Sequence, residues 1–210
     1  MYLPAQFKED RPVVLRALMR LSPFATLVVP TDTGLEANLL PLLVRENEHG
    51  VELVGHVARS NPVWKRPVLG EALALFAGPE GYISPSTYAS KQVDGKVVPT
   101  WNYVAVHAYG TLRWVEDDAW LAQMLEDLTN EHEAGRAEPW RVEDAPAAFT
   151  AGLRRAIVGL RLAVTRLEGK LKLGQNRPKG DRLSAIQGLR ERGDEASLAL
   201  AEAMQATLDG

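Results

Sequence analysis

The chain has 210 residues, of which 46% are hydrophobic and 24% charged, ordinary values for a folded globular protein that exclude a disordered or fibrous chain. It has no cysteine, which removes disulfides, iron–sulfur clusters, thiolate nucleophiles and most structural zinc sites, so any electron chemistry must come from a bound cofactor. A net charge of −3 gives no overall attraction to nucleic acid, and DNA binding would need a local basic surface.

The opening residues MYLPAQFKED lack the basic start and apolar stretch of a secretory signal. No run reaches the roughly 18 apolar residues of a membrane span, so a cytoplasmic location with no membrane partner is expected. Residues 9–21, EDRPVVLRALMRL, place Val14, Leu15, Leu18 and Leu21 at helical spacing, with Asp10, Arg11 and Pro12 as the start signal. FATLVVP at 24–30 and LEANLLPLLV at 35–44 read as two strands joined through TDTG into a hairpin. VELVGHV at 51–57 and EALALFAG at 71–78 are the third and fourth strands. Between them, ARSNPVWKRP suits a single helical turn capped by Ser60 or Asn61.

PEGYISPSTYASK reads as a loop with a capped helical turn. The run TWNYVAVHAYGTLRWV at 100–115 alternates Tyr103, Ala105, His107 and Tyr109 against Val104, Val106 and Ala108, which predicts the longest strand. A helix follows over 117–133, with Trp120, Leu121, Met124, Leu125 and Leu128 on one stripe. An irregular connection and a brief helix over 147–154 lead to a sixth strand at 157–174. Two helices at about 180–191 and 194–208, split by Gly193, end the chain. The expected fold is mainly β with α: a six-stranded antiparallel split β-barrel with peripheral helices and a C-terminal helical tail. The expected division is a barrel domain over 1–178 and a helical extension over 179–210 packed on the barrel.

No G-x-G-x-x-G or P-loop sequence occurs, which argues against dinucleotide and nucleoside-triphosphate folds. His49, His56, His107 and His132 form no metal-binding pattern, and no metal site is expected. No nucleophile elbow or Ser–His–Asp grouping points to a hydrolase.

Three stretches gather polar chemistry. In GHVARSNPVWK at 55–65, Arg59, Ser60 and Asn61 stand where a strand ends, offering a guanidinium and hydroxyl to a phosphate or merely capping a surface turn. His56 reads as a core histidine unless a ligand claims it. In YISPSTYASK at 82–91 and VPTWNYVAVH at 98–107, Lys91, Trp101, Asn102, Tyr103 and His107 offer aromatic faces and donors to a flat heterocycle, or fill a barrel wall and dimer interface. In EGKLKLGQNRPKGDRL at 168–183, Lys172, Gln175, Asn176 and Arg177 form a basic turn whose amides suit a heterocycle or phosphate; solvation of a charged surface is the alternative.

Taken in order, MYLPAQF, GHVARSNPVW, YISPSTYASK with VPTWNYVAVHAYGTLR, and GKLKLGQNRPKGDRL resemble the PaiB-type family of FMN-binding negative transcriptional regulators across nearly the whole chain. The first hairpin and the strand ending in ARSN are also similar to the wider pyridoxamine-phosphate-oxidase-like split barrels. The resemblance implies a homodimer with FMN at its interface. It implies a phosphate held by Arg59 and Ser60, with His56, Asn61, Lys91, Trp101, Asn102, His107, Lys172, Gln175, Asn176 and Arg177 as further cofactor-site candidates. Thr87 stands where the family pattern has Trp, Gly174 where it has Ser, and Ser184 where it has Gly. DNA enters as a partner by resemblance alone, because the last helix, EASLALAEAMQATL at 195–208, contains no Arg or Lys and makes a poor reading helix. An FMN-dependent oxidoreductase on the same barrel is the rival reading, and a flavin or haem carrier without turnover is a third.

Overall fold

A computed structural model describes residues 1–48 and 50–209; His49 lies outside the described residues. The strands are β1 (Lys8–Glu9), β2 (Phe24–Thr31), β3 (Gly34–Pro41), β4 (Leu43–Asn47), β5 (Gly50–Ala58), β6 (Ala72–Ile83), β7 (Thr100–Val115) and β8 (Ile157–Lys172). The helices are α1 (Pro12–Leu21), α2 (Asp118–Glu133), α3 (Ala147–Arg155), α4 (Lys179–Arg192) and α5 (Glu195–Asp209). One sheet runs in the order β3-β2-β6-β7-β8-β5-β4, with β1 paired to β8. The pairings β1–β8, β2–β3, β2–β6, β4–β5 and β5–β8 are all antiparallel.

The strand count is eight among the described residues, where the sequence predicts six. The two-residue β1 is too short to show an alternation. The run 35–44 is not one strand: it breaks at Pro41 and Leu42, and β4 begins at Leu43. Pro41 cannot donate to a ladder, and the chain turns there, with Leu42 buried and its N–H donated to the Pro23 carbonyl at 2.9 Å. Because β3 and β4 lie at opposite ends of the strand order and only Leu42 separates them, the sheet bends at this corner. Gly55 on β5 makes the bend fit: a Cβ there would lie 2.9 Å from the Pro41 carbonyl oxygen and 3.0 Å from the Leu42 side chain.

The chain forms two compact units. The first comprises Met1–Leu18, Ala77–Val106 and the chain from Glu168 on; the second comprises Met19–Phe76 and His107–Leu167. In the first, Ile83, Val104 and Leu173 are buried against Ala185, Ile186 and Leu189 of α4 and Leu200, Ala201 and Met204 of α5. Each of these Val, Leu, Ile and Met side chains contributes about 1.5–3 kcal/mol by leaving water. In the second, alternate residues Ala25, Leu27 and Val29 of β2, Ala72, Ala74 and Phe76 of β6, and Val158, Leu160 and Leu162 of β8 are buried. The opposite face of β5 carries Val54 against Leu121, Met124 and Leu128 of α2. That helix starts where predicted, with the Asp117 carboxylate accepting from Trp120 N–H at 2.7 Å. Among the described residues, no helix is long and apolar enough to cross a membrane.

Candidate functional site

The end of β5 gathers several donors of the second unit. Strand pairing continues past Ala58 through Arg59 N–H, which donates to the Ala156 carbonyl at 2.8 Å. This directs the Arg59 side chain along the start of β8. Its Nε donates to Arg155 O at 2.8 Å, its Nη2 to Ile157 O at 3.0 Å, and its Nη1 to the Glu116 carboxylate at 2.6 Å. Trp64 braces it, with the indole N–H on Arg59 O at 2.9 Å and the ring 5.5 Å from the guanidinium carbon. Lys65 lies over the same ring at 5.3 Å.

Asn61, not Ser60, caps the 3-10 turn Pro62–Lys65. Its Oδ1 accepts from Val63 N–H at 3.0 Å and its Nδ2 donates to Asn38 Oδ1 on β3 at 2.7 Å. Ser60 is exposed, and among the described residues its hydroxyl has no protein partner. His56 faces the other way from the barrel core. It pairs with Gly159, where a Cβ would strike the Trp120 ring, and directly opposed residues share a face; His56 therefore lies on the α2 side. Its Nδ1 is buried without a partner, and burial lowers its pKa, so it is a neutral imidazole rather than a cation for phosphate.

Alternation divides the β7 candidates between two faces. Trp101 is half exposed and meets the Tyr82 ring edge-on, with centroids 6.2 Å apart. Asn102, one position on, is only 2% exposed. Its Nδ2 donates to Met204 Sδ of α5 at 3.4 Å while its Oδ1 is buried without a partner. In the second unit, His107 Nδ1 lies 3.5 Å from the Tyr109 hydroxyl, and Arg166 stacks 3.7 Å from the Tyr109 ring centroid.

The basic turn is largely spent on its own architecture. Lys172 Nζ donates to Thr100 Oγ1 at 2.6 Å and Trp101 O at 2.7 Å. Gln175 closes the end of β8, accepting from Leu173 N–H at 2.8 Å and donating to Leu171 O at 2.6 Å. Arg177 lies 4.9 Å over Tyr88, whose hydroxyl pKa is raised chiefly by burial. Lys91 and Asn176 are exposed, and among the described residues Lys91 Nζ reaches only Ser86 Oγ, at 3.4 Å.

Two carboxylates central to these clusters escape the motif reading. Asp181, 2% exposed, accepts from Ser90 N–H at 2.8 Å and Ser90 Oγ at 2.7 Å, pinning the YISPSTYASK loop to α4; its one sequence signal is an acid in a first helical turn. Glu116 follows a strand end and carries no signal at all. A separate cleft of about 810 Å³ lies between α2 and the 139–154 segment, lined by Leu125, Asn130, Val142 and Thr150 among others, and holds none of the candidate residues.

The β5 end suits a phosphate in kind, since a guanidinium, a free hydroxyl and an ammonium lie within seven residues; Glu116 is the one group at odds with a dianion. The exposed Trp101 indole suits a flat ring. Asn102, turned to Met204, does not present its amide to one.

The model of a family described as "Putative FMN-binding domain" matches residues 1–166. The chain is 31% identical to the protease synthase and sporulation protein PAI 2 of Bacillus subtilis over 98% of this chain and 97% of that one. It is also 31% identical to an uncharacterized protein of Emericella nidulans, covering 96% and 95%. Among solved structures, the FAD and heme binding protein of Mycobacterium smegmatis superposes with a TM-score of 0.58 at 19% identity, covering 86% of this chain and 80% of that one. The flavocytochrome Anf3 of Azotobacter vinelandii gives 0.55 at 13%, covering 85% and 74%. The fold is the split barrel of flavin-binding proteins, mainly antiparallel β with peripheral helices.

Proposed function

The chain belongs to the PaiB-type FMN-binding family, and from that membership we propose a homodimer that carries FMN and acts in flavin-linked regulation. When bound, FMN supplies the redox chemistry that this cysteine-free chain lacks. The observation that carries the reading is an uncovered apolar face on the β2–β3 hairpin. Phe24 is 62% exposed, Leu35 76% and Leu39 67%. Register puts Leu39 beside Thr26 and Leu75, and Ala37 beside Val28 and Leu73. Asn61, next to Ser60, is bonded to Asn38, which lies on the other face of β3, the side of Leu27 and Leu40. A contiguous apolar face of this kind is what a second copy covers. We assign Arg59 and Ser60 to the phosphate, with Lys65 as a third donor.

The regulatory part is supported by the Bacillus subtilis relative, whose name ties it to protease synthesis and sporulation. Operator reading by α5 has no such support, because Leu200, Ala201 and Met204 are buried and the helix carries no cation to meet DNA. Regulation through a protein partner or through flavin state fits better.

An FMN-dependent oxidoreductase is the second reading, favoured by His107 beside the Tyr109 hydroxyl, an arrangement able to deliver a proton. Titrating the purified protein with FMN and following flavin fluorescence tests the shared premise; no quenching at tens of micromolar overturns it. Adding NADH or NADPH to the loaded protein separates the readings. A regulator leaves the flavin oxidised, whereas an oxidoreductase bleaches it and turns over, more slowly in His107→Ala.

A further inference from the structure

We propose that Glu116 holds the place of the FMN phosphate on Arg59, and thereby sets how strongly this protein prefers FMN to unphosphorylated flavin. The inference rests on the assignment of Arg59 to phosphate and concerns what that anion must displace.

A guanidinium has five N–H bonds, and Arg59 uses three of them on Arg155 O, Ile157 O and Glu116. The two carbonyls are fixed. They belong to backbone joining α3 to β8, where Arg59 N–H on Ala156 O and the Ala58–Ile157 pair hold the strand. Glu116 is the removable partner. It stands in the two-residue link between β7 and α2, its side chain 56% exposed, so it can turn into water without disturbing a buried contact.

A carboxylate and a phosphate dianion on one guanidinium repel each other, and like charges in contact cost affinity. Trp64, bonded to Arg59 O and lying beneath the guanidinium, keeps the cation in place whichever anion it carries. The Ser60 hydroxyl, adjacent in sequence and unpartnered among the described residues, stands ready for an oxygen that the Glu116 carboxylate does not offer it. Phosphate binding here is therefore an exchange of anions on a fixed cation. The part of the affinity lost in that exchange is felt by FMN and not by riboflavin.

The test is fluorescence titration of the full chain with FMN and with riboflavin, in the natural protein, Glu116→Gln and Arg59→Lys. Thermal melts check that each variant folds. Gln keeps an acceptor for Arg59 but removes the charge, so Glu116→Gln is expected to tighten FMN about tenfold and leave riboflavin unchanged. Arg59→Lys, which loses the fork, lowers the FMN-to-riboflavin preference. A preference unchanged in Glu116→Gln overturns the role of Glu116 while leaving flavin binding intact. Failure of the natural protein to bind either flavin overturns the site assignment and this inference with it.

Discussion

At the scale of single residues, His56 shows how a side chain that looks chemical in sequence becomes structural in place. A histidine before ARSN invites a ligand role, yet pairing with Gly159 turns it under Trp120 with Nδ1 buried and unpartnered. Burial lowers its pKa below the ordinary value of about 6.5. The unfolded chain therefore binds more protons than the folded one as pH falls through that value, and stability declines with it. The loss runs from about pH 6.5 down to the lowered folded-state pKa. Urea unfolding at pH 7.5 and 5.5 is expected to show a drop in midpoint that shrinks in His56→Gln. An equal drop in both proteins assigns the effect elsewhere. Arg59 shows the converse, since its cationic chemistry was plain in the sequence but its three partners, all from residues 116–157, were not. Contacts across such separations leave no trace in local spacing.

Elements were legible where their periodicity was strong. The burial alternation of β7, the α2 stripe with its Asp117 cap and the two-residue turn of the β2–β3 hairpin all follow from side-chain period and turn chemistry. The corner at Pro41 and Leu42 was hidden because both flanks are apolar, so only Pro41 marked the break. The candidate site was less legible, because alternation on β7 sends Trp101 and Asn102 to opposite faces and the basic turn consumes Lys172 and Gln175 in closing itself. The link between the hydroxyl-rich loop and α4 belongs to this scale. Ser90 gives two hydrogen bonds to buried Asp181, Ala89 N–H donates to Ser184 Oγ at 3.2 Å, and Thr87 packs where a Cβ on Gly188 would sit. Ser184 and Thr87, two departures from the family pattern, thus take part in one seam. Asp181→Ala leaves the partly buried Ser90 N–H and hydroxyl without their acceptor, which is expected to cost about 1 kcal/mol in urea unfolding. It also speeds amide exchange over residues 87–92. Unchanged exchange there counts against Asp181 as the pin.

For the whole molecule, the outer face of β2 and β3 is the feature a monomer leaves unexplained. On β3, Leu35 and Leu39 point outward at 76% and 67% exposure, with Ala37 between them, while the other face carries Glu36, Asn38 and the buried Leu40. An outward row that is wholly apolar calls for a covering layer, which this chain does not supply among the described residues. If a second copy supplies the other layer, Leu35→Glu with Leu39→Glu places charges at the centre of the contact, where desolvation without a partner is most costly. Neither change touches the inward positions, so the monomer keeps its core. Sedimentation equilibrium at micromolar concentration is expected to give a dimer for the natural protein and a monomer for the double variant. Circular dichroism of the two should coincide. Because the proposed homodimer holds FMN at its interface, FMN affinity is expected to fall at least tenfold in the monomeric variant. A monomeric natural protein that binds FMN as tightly as the double variant would place the cofactor within one chain and leave the exposed β3 leucines to another partner.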